Sequence, residues 1–227
     1  MSPLEKNLRF FLGTFIGNSK LLFSYNYKRE HNQKKIIRES SDLCIEGFQR
    51  SGNSFFVILF RRKNKDVALA HHMHSAVQVI RAIHLKVPVI VLIRRPEDAV
   101  ASLLTWDDKL SVGVALYAYR SFYKKLKGYK SQVVIAPFSE VTTQIGDVIR
   151  RVNDRYNTEF VPMDFSEAQL EKIRTNVASR QKNQLASPIP NQEKAKLNAI
   201  HKERILEHWT YASTLAVYDD FLDASFL

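Results

Sequence analysis

The chain has 227 residues, 45% hydrophobic and 11% aromatic, and its 34 Lys and Arg against 23 Asp and Glu give a formal charge of +11. That composition excludes a wholly disordered chain and supplies enough apolar mass for one large domain with its own core. The charge favours an anionic partner without choosing among phosphate, sulfate, nucleic acid and acidic lipid, while a single cysteine, Cys44, excludes an internal disulfide or a cysteine-built metal cage.

In chain order, residues 1–40 form a basic and aromatic extension. No run there reaches the roughly 20 apolar residues of a spanning helix, because Arg9, Asn18, Lys20 and Asn26 interrupt residues 8–27. Residues 10–17 also lack the small-residue cleavage pattern of a secretory signal. The segment reads as a terminal helix or loop packed on the domain. A second reading is a peripheral membrane contact, with Lys28, Arg29, Lys34, Lys35 and Arg38 beside the aromatic residues. A cytoplasmic location is expected, since nothing in the sequence requires an oxidising compartment.

Short apolar runs then alternate with helical patterns, which is the signature of βαβ units around a mostly parallel sheet. Residues 43–47 are the first buried strand, with Cys44 in the core, and a turn and an apolar helix follow. Residues 67–70 are a short second strand. Ala76, Val79, Ile80 and Ile83 recur at spacings of three and four, placing a helix over 75–85. The β-branched run 87–93 reads as a central strand buried on both faces. Pro96 suits the first turn of a helix over 96–105. Further elements are a helix at 111–127, a strand at 132–136 and a helix at about 140–155. Pro188 and Pro190 mark 176–192 as a loop, and one long helix is expected over 193–218. Residues 1–227 are read as a single three-layer α/β domain.

Gly47-Phe48-Gln49-Arg50-Ser51-Gly52-Asn53-Ser54 follows a strand and opens a helix. In that context backbone N–H groups can converge on a phosphate. The string has the two glycines and final hydroxyl of a Walker A loop, but Asn53 stands where that loop has its lysine. The substitution argues against triphosphate cleavage, since the lysine normally meets the β and γ phosphates. Beyond the central strand, Arg94-Arg95-Pro96-Glu97-Asp98-Ala99-Val100-Ala101-Ser102 places an arginine at the strand's carboxyl end. A hydroxyl lies about two helical turns further on, so both can reach one phosphate.

Taken together, the two segments resemble the PAPS-dependent sulfotransferase family, whose 5′-phosphosulfate loop is similar to residues 47–55 and whose 3′-phosphate motif is similar to residues 94–102. The likeness runs over residues 43–102, with a weaker echo at Ala136-Pro137-Phe138-Ser139-Glu140-Val141. The resemblance implies a P-loop NTPase-like fold and transfer of a sulfuryl group from 3′-phosphoadenosine 5′-phosphosulfate (PAPS) to an acceptor hydroxyl, with no metal required. It implies that Ser51, Gly52, Asn53 and Ser54 cradle the 5′-phosphosulfate, that Arg94 and Ser102 hold the 3′-phosphate, and that Phe55 lies beside the adenine. Asn53 departs from the family's threonine and Arg50 from its frequent lysine. Arginine keeps the charge but does not give up a proton, so Arg50 is assigned an electrostatic role.

Three of the four residues in His71-His72-Met73-His74 are histidines, but neither paired cysteines nor HExxH spacing accompanies them, so no metal site is read here. The family resemblance makes His74 the first candidate for the base that takes the acceptor's proton. His72 is the second, because alternation in an extended segment puts both on one side and His71 on the other. Arg180 and Lys182 are candidates to cover the nucleotide. Trp106, Asp107 and Asp108 follow the helix over 96–105, with Trp106 read chiefly as packed. Three other readings compete: another P-loop kinase or NTPase, a sulfotransferase-like fold that has lost catalysis, and a basic nucleic-acid-binding module, against which the absence of RRM, KH or helix-turn-helix signatures speaks. The sequence does not identify the acceptor; the breadth of the family it resembles implies a carbohydrate or lipid-linked glycan.

Overall fold

The computed structural model describes residues 1–27, 32–179 and 191–223. Strands β1 (Leu43–Gly47), β2 (Leu69–His71), β3 (Val89–Ile93) and β4 (Val134–Pro137) make one all-parallel sheet in the order β2-β1-β3-β4. Their alternation builds two cores. Leu43, Ile45, Ile90, Leu92, Val134 and Ala136 face one layer, and Cys44, Val89, Val91, Ile93 and Ile135 face the other. Both faces are apolar because both are covered, as parallel sheets require.

Helices α3 (Asn53–Lys63), α8 (Ile145–Tyr156) and α9 (Glu167–Ser179) supply apolar side chains to the first layer. Helices α4 (Ala76–His84), α5 (Pro96–Trp106) and α6 (Val112–Leu126) supply the second. Each start has a local cause. Ser75 and Ser111 cap α4 and α6 by accepting from the N–H groups of Gln78 and Val114. Pro96 opens α5, with Glu97 and Asp98 in its first turn.

The N-terminal extension is helical. Helix α1 (Pro3–Asn18) begins with a capping box between Ser2 and Glu5, and α2 (Lys20–Tyr27) follows. Residues 28–31 and 180–190, which include Arg180 and Lys182, lie outside the described residues. Among the described residues no helix is long and apolar enough to cross a membrane.

Several element boundaries differ from expectation, with β2, β3 and β4 each starting two residues late. The long C-terminal helix is two, α10 (Gln192–Leu206) and α11 (Tyr211–Leu222). Between them the His208 side chain turns back, and its Nδ1 accepts the Thr210 N–H at 3.3 Å. The helix expected at 140–155 is likewise α7 (Phe138–Thr143) and α8, parted at Gln144. Residues 176–179, expected in a loop, complete α9.

The strand order places the topological switch between β1 and β3. The chain leaves β1 toward β2 on one side and leaves β3 toward β4 on the other, so the crevice where α/β sheets bind ligands opens at the carboxyl ends of β1 and β3. There Gly47 pairs with Leu92, and a Cβ on Gly47 would lie 2.5 Å from the Leu92 carbonyl oxygen. Only glycine fits this approach. Gly47→Ala is expected to lower the unfolding free energy by about 1–3 kcal/mol, read as a fall in the urea midpoint; an unchanged midpoint would show that the two strands part readily.

Candidate functional site

The crevice holds a cleft of about 600 Å³, lined by residues from the β1–α3 turn, the histidine segment, β3–α5, α7 and α9. Of the ten residues singled out from the sequence, nine line it: Arg50, Gly52, Asn53, Ser54, Phe55, His72, His74, Arg94 and Ser102. Ser51 is fully buried, with its N–H on the Phe48 carbonyl at 3.2 Å.

The turn takes its shape from two left-handed residues, Arg50 at φ 66° and Gly52 at φ 94°. A Cβ on Gly52 would come within 3.0 Å of Val141, so glycine is favoured there by both conformation and space. Helix α3 starts immediately afterwards without a side-chain cap, which leaves the N–H groups of its first turn directed at the cleft. The Asn53 amide does not reach into the cleft as a donor; its Nδ2 holds the Phe48 carbonyl at 3.0 Å and fastens the turn.

The two arginines sit close together. Arg94 donates to the Arg50 carbonyl at 3.2 Å and stacks over the Phe138 ring at 4.1 Å. Its buried Nε has no partner among the described residues. Arg50 reaches across to α5, where its Nε donates to Ser102 Oγ at 3.0 Å. Burial pulls the pKa of both guanidiniums down, and for Arg50 the charge of Arg94 adds to the effect. The buried Lys194 of α10, not anticipated from the sequence, feels the charge of Arg50. Burial and then Arg50 lower its pKa to about 8, and α10 is held along α5 by Thr105–Asn198 at 2.7 Å and Lys202–Asp98 at 2.5 Å. Crowded, partly desolvated cations raise the affinity of a site for an anion.

The histidine segment is not extended: His72 and His74 have φ values of 58° and 50°. His71 therefore does not point away. Its Nδ1 lies 2.6 Å from His72 Nδ1. Proton positions follow from the partners. Arg61 can only donate to His71 Nε2, at 3.4 Å, so His71 carries its proton on Nδ1 and donates to His72. His72 then carries its proton on Nε2 and donates to Ser54 Oγ at 3.0 Å. Burial lowers the pKa values of His71 and His72 to about 4 and about 3, aided for His71 by Arg61 and for His72 by His74. Both stay neutral at pH 7. Ser54 thus accepts from His72 as Ser102 accepts from Arg50, and each hydroxyl keeps its own proton to donate.

His74 differs from its neighbours. Its Nδ1 donates to the Gly47 carbonyl at 2.8 Å, so the neutral ring has a bare Nε2, and burial holds its pKa below the ordinary value.

The strained turn is fastened by Glu46, a carboxyl inside β1 that sequence reasoning passed over. Its oxygens accept the N–H groups of Met73 and His74, both at 2.8 Å, and the Gln78 amide at 2.8 Å. An acid within an apolar strand was the available signal. Two tyrosines one turn apart on α6 brace the strand ends. Tyr123 donates to the Leu92 carbonyl at 2.8 Å and accepts the Phe48 N–H at 3.3 Å, and Tyr119 donates to the Arg94 carbonyl at 2.6 Å. Trp106, read as packed, is 46% exposed and lines the cleft with Glu171 and Thr142, while Asp107 pairs with Lys6 at 2.7 Å.

The fold and cleft define an α/β protein with a cleft bordered by Arg50 and Arg94 at its switch point. No protein-family model, curated protein or solved structure matches the chain.

Burial pushes the Glu46 pKa up to about 8 against the pull of its N–H donors. The folded state therefore holds a proton that the unfolded chain releases near pH 4.5. Its contribution to stability is complete below that pH and lost as pH rises through about 8. Urea unfolding between pH 5 and 8 should show this decline, at up to about 1.4 kcal/mol per pH unit. Glu46→Gln should flatten the slope even though it removes an acceptor; an unchanged slope would assign the titration to another group.

Proposed function

We propose that the chain is a sulfotransferase of P-loop-like fold that moves a sulfuryl group from PAPS to an acceptor hydroxyl. The observation that carries the reading is that the two anion-binding segments resembling that family share one cleft, joined by Arg50 and Ser102, with the bare nitrogen of His74 in the same lining. The cleft's volume of about 600 Å³ lies within the usual range for a small-molecule site. The unpartnered Arg94 Nε is a donor suited to a phosphate oxygen.

In this reading the first-turn N–H groups of α3 and the Ser54 hydroxyl hold the 5′-phosphosulfate, and Phe55 lies beside the base. Arg94 and the Ser102 hydroxyl take the 3′-phosphate. The acceptor oxygen bonds to sulfur as the bond from sulfur to the phosphate oxygen breaks. The hydroxyl proton passes to His74 Nε2, and the electron pair leaves on 3′-phosphoadenosine 5′-phosphate. Arg50 and Lys194 supply positive charge near the departing phosphate. His72 has both ring nitrogens engaged, so the base is assigned to His74, with His72 orienting Ser54. Asn53, holding the turn where a Walker loop has its lysine, speaks for this chemistry over nucleoside triphosphate cleavage.

Calorimetric titration separates the roles. 3′-Phosphoadenosine 5′-phosphate should bind about ten- to a hundredfold more tightly than AMP, the increment expected of charge-assisted hydrogen bonds to one phosphate. Arg94→Ala should erase that difference, whereas equal affinities in the unaltered protein would remove the 3′-phosphate role.

His74→Ala should lower turnover by about 10²–10⁴-fold with nucleotide affinity little changed. Because burial lowers the His74 pKa, the acid limb of the pH–rate profile should fall below the ordinary histidine value. A limb above that value, or retained turnover in the variant, would place the base elsewhere.

A further inference from the structure

Helix α1 is apolar on two sides, and only one is covered. Its inner side carries Gly17, which is buried, and Phe10, which packs on the core beneath. Its outer side carries Leu4, Leu8, Leu12 and Phe15, exposed by 79, 56, 46 and 55%. Their spacings of four, four and three put them in one stripe along the helix. Leu21, at the start of α2, extends it and is 87% exposed. Among the described residues, eight of the thirteen exposed large hydrophobic ones fall within residues 1–22, so the stripe is a local feature and not the scatter normal for a protein surface.

Charge decides what fits it. The first 38 residues hold eight Lys and Arg but only two acids, Glu5 and Glu30, and Glu5 is engaged in the capping box of α1. Arg9 and Lys20 are exposed and make no ion pair within the described residues. Lys20 and Lys125 line one shallow depression together with Phe15 and Leu21, so cations border the apolar stripe. A second copy of the chain, seated on this stripe, would bring these cations against their equals. Nucleic acid would leave the leucines unmatched. An anionic phospholipid surface meets both features, taking the apolar stripe below the headgroups while lysine and arginine meet the phosphates.

We infer that α1, with the start of α2, is an interfacial helix that docks the protein on an anionic membrane surface. The end of the helix also bonds the start of α4, which follows the histidine turn. The Gly17 carbonyl accepts the Ser75 hydroxyl proton, and Asn18 Oδ1 accepts the Ala76 N–H at 3.2 Å, immediately after His74. Docking therefore brings a bilayer to the packed unit that contains the histidine turn, an arrangement suited to an acceptor hydroxyl carried by a lipid. The docking itself does not depend on the proposed chemistry.

Co-sedimentation tests it with vesicles of phosphatidylcholine alone and of equal parts phosphatidylcholine and phosphatidylserine. The protein should bind the mixed vesicles, more weakly as salt is raised, and should bind the neutral ones at least about tenfold less. Leu8→Ser with Phe15→Ser, and separately Arg9→Glu with Lys20→Glu, should each weaken binding by about tenfold or more. Circular dichroism should show both variants folded, since these side chains are exposed. Failure to bind the mixed vesicles, or binding untouched by the Leu8 and Phe15 changes, would overturn the inference. So would a dimer in solution that those two changes dissolve, since the stripe would then be a contact between copies.

Discussion

Gly47 and Leu92 lie side by side in the parallel pairing of β1 and β3, with no room for a methyl group between them. That close approach sets the geometry of everything above it. The β1–α3 turn begins where β1 ends, and Arg94 emerges where β3 ends, so their separation is fixed by strand spacing. Tyr123 joins the two strand ends by bonding Leu92 on one side and Phe48 on the other, and Tyr119 holds the Arg94 backbone. Both hydroxyls are buried and satisfied, which makes the rim of the crevice rigid.

On this frame the cleft's polar groups are arranged as donors. Ser54 and Ser102 each accept a hydrogen bond from the protein, one from a neutral histidine and one from an arginine. The first turn of α3 adds backbone N–H groups, and Arg94 adds a buried guanidinium nitrogen without a partner among the described residues. A surface that offers donors and positive charge from several elements is complementary to an oxyanion ligand. His74 is the exception, with a bare nitrogen kept available by the Gly47 carbonyl. Its left-handed backbone is held by Glu46 from below, so a carboxyl in the core keeps the ring in place.

The sheet was legible because its strands are apolar on both faces. Residues 43–47 form β1 as read, and β3 starts at Val89, two residues late, with the Pro88 carbonyl accepting the Cys44 N–H at 2.9 Å. The strand-to-helix turn was legible from glycine spacing, and the place of Arg94 at the cleft from its position at a strand end. What escaped were effects of tertiary contact. The histidine segment was read by the period of an extended chain, but Glu46 captures the N–H groups of Met73 and His74 and bends it into a left-handed turn. The split between α10 and α11 carries neither glycine nor proline, and the His208 ring makes it. Lys194 comes near enough to feel the charge of Arg50 because α10 folds back along α5, a placement that residue spacing does not encode.

The proposed chemistry requires one ligand to engage both arms of the cleft. The most direct measurement is a crystal structure with 3′-phosphoadenosine 5′-phosphate. It should place the 5′-phosphate on the first-turn N–H groups of Asn53, Ser54 and Phe55, and the 3′-phosphate within hydrogen-bond reach of Arg94 and Ser102. A nucleotide held at the turn with its 3′-phosphate directed away from Arg94 would contradict it.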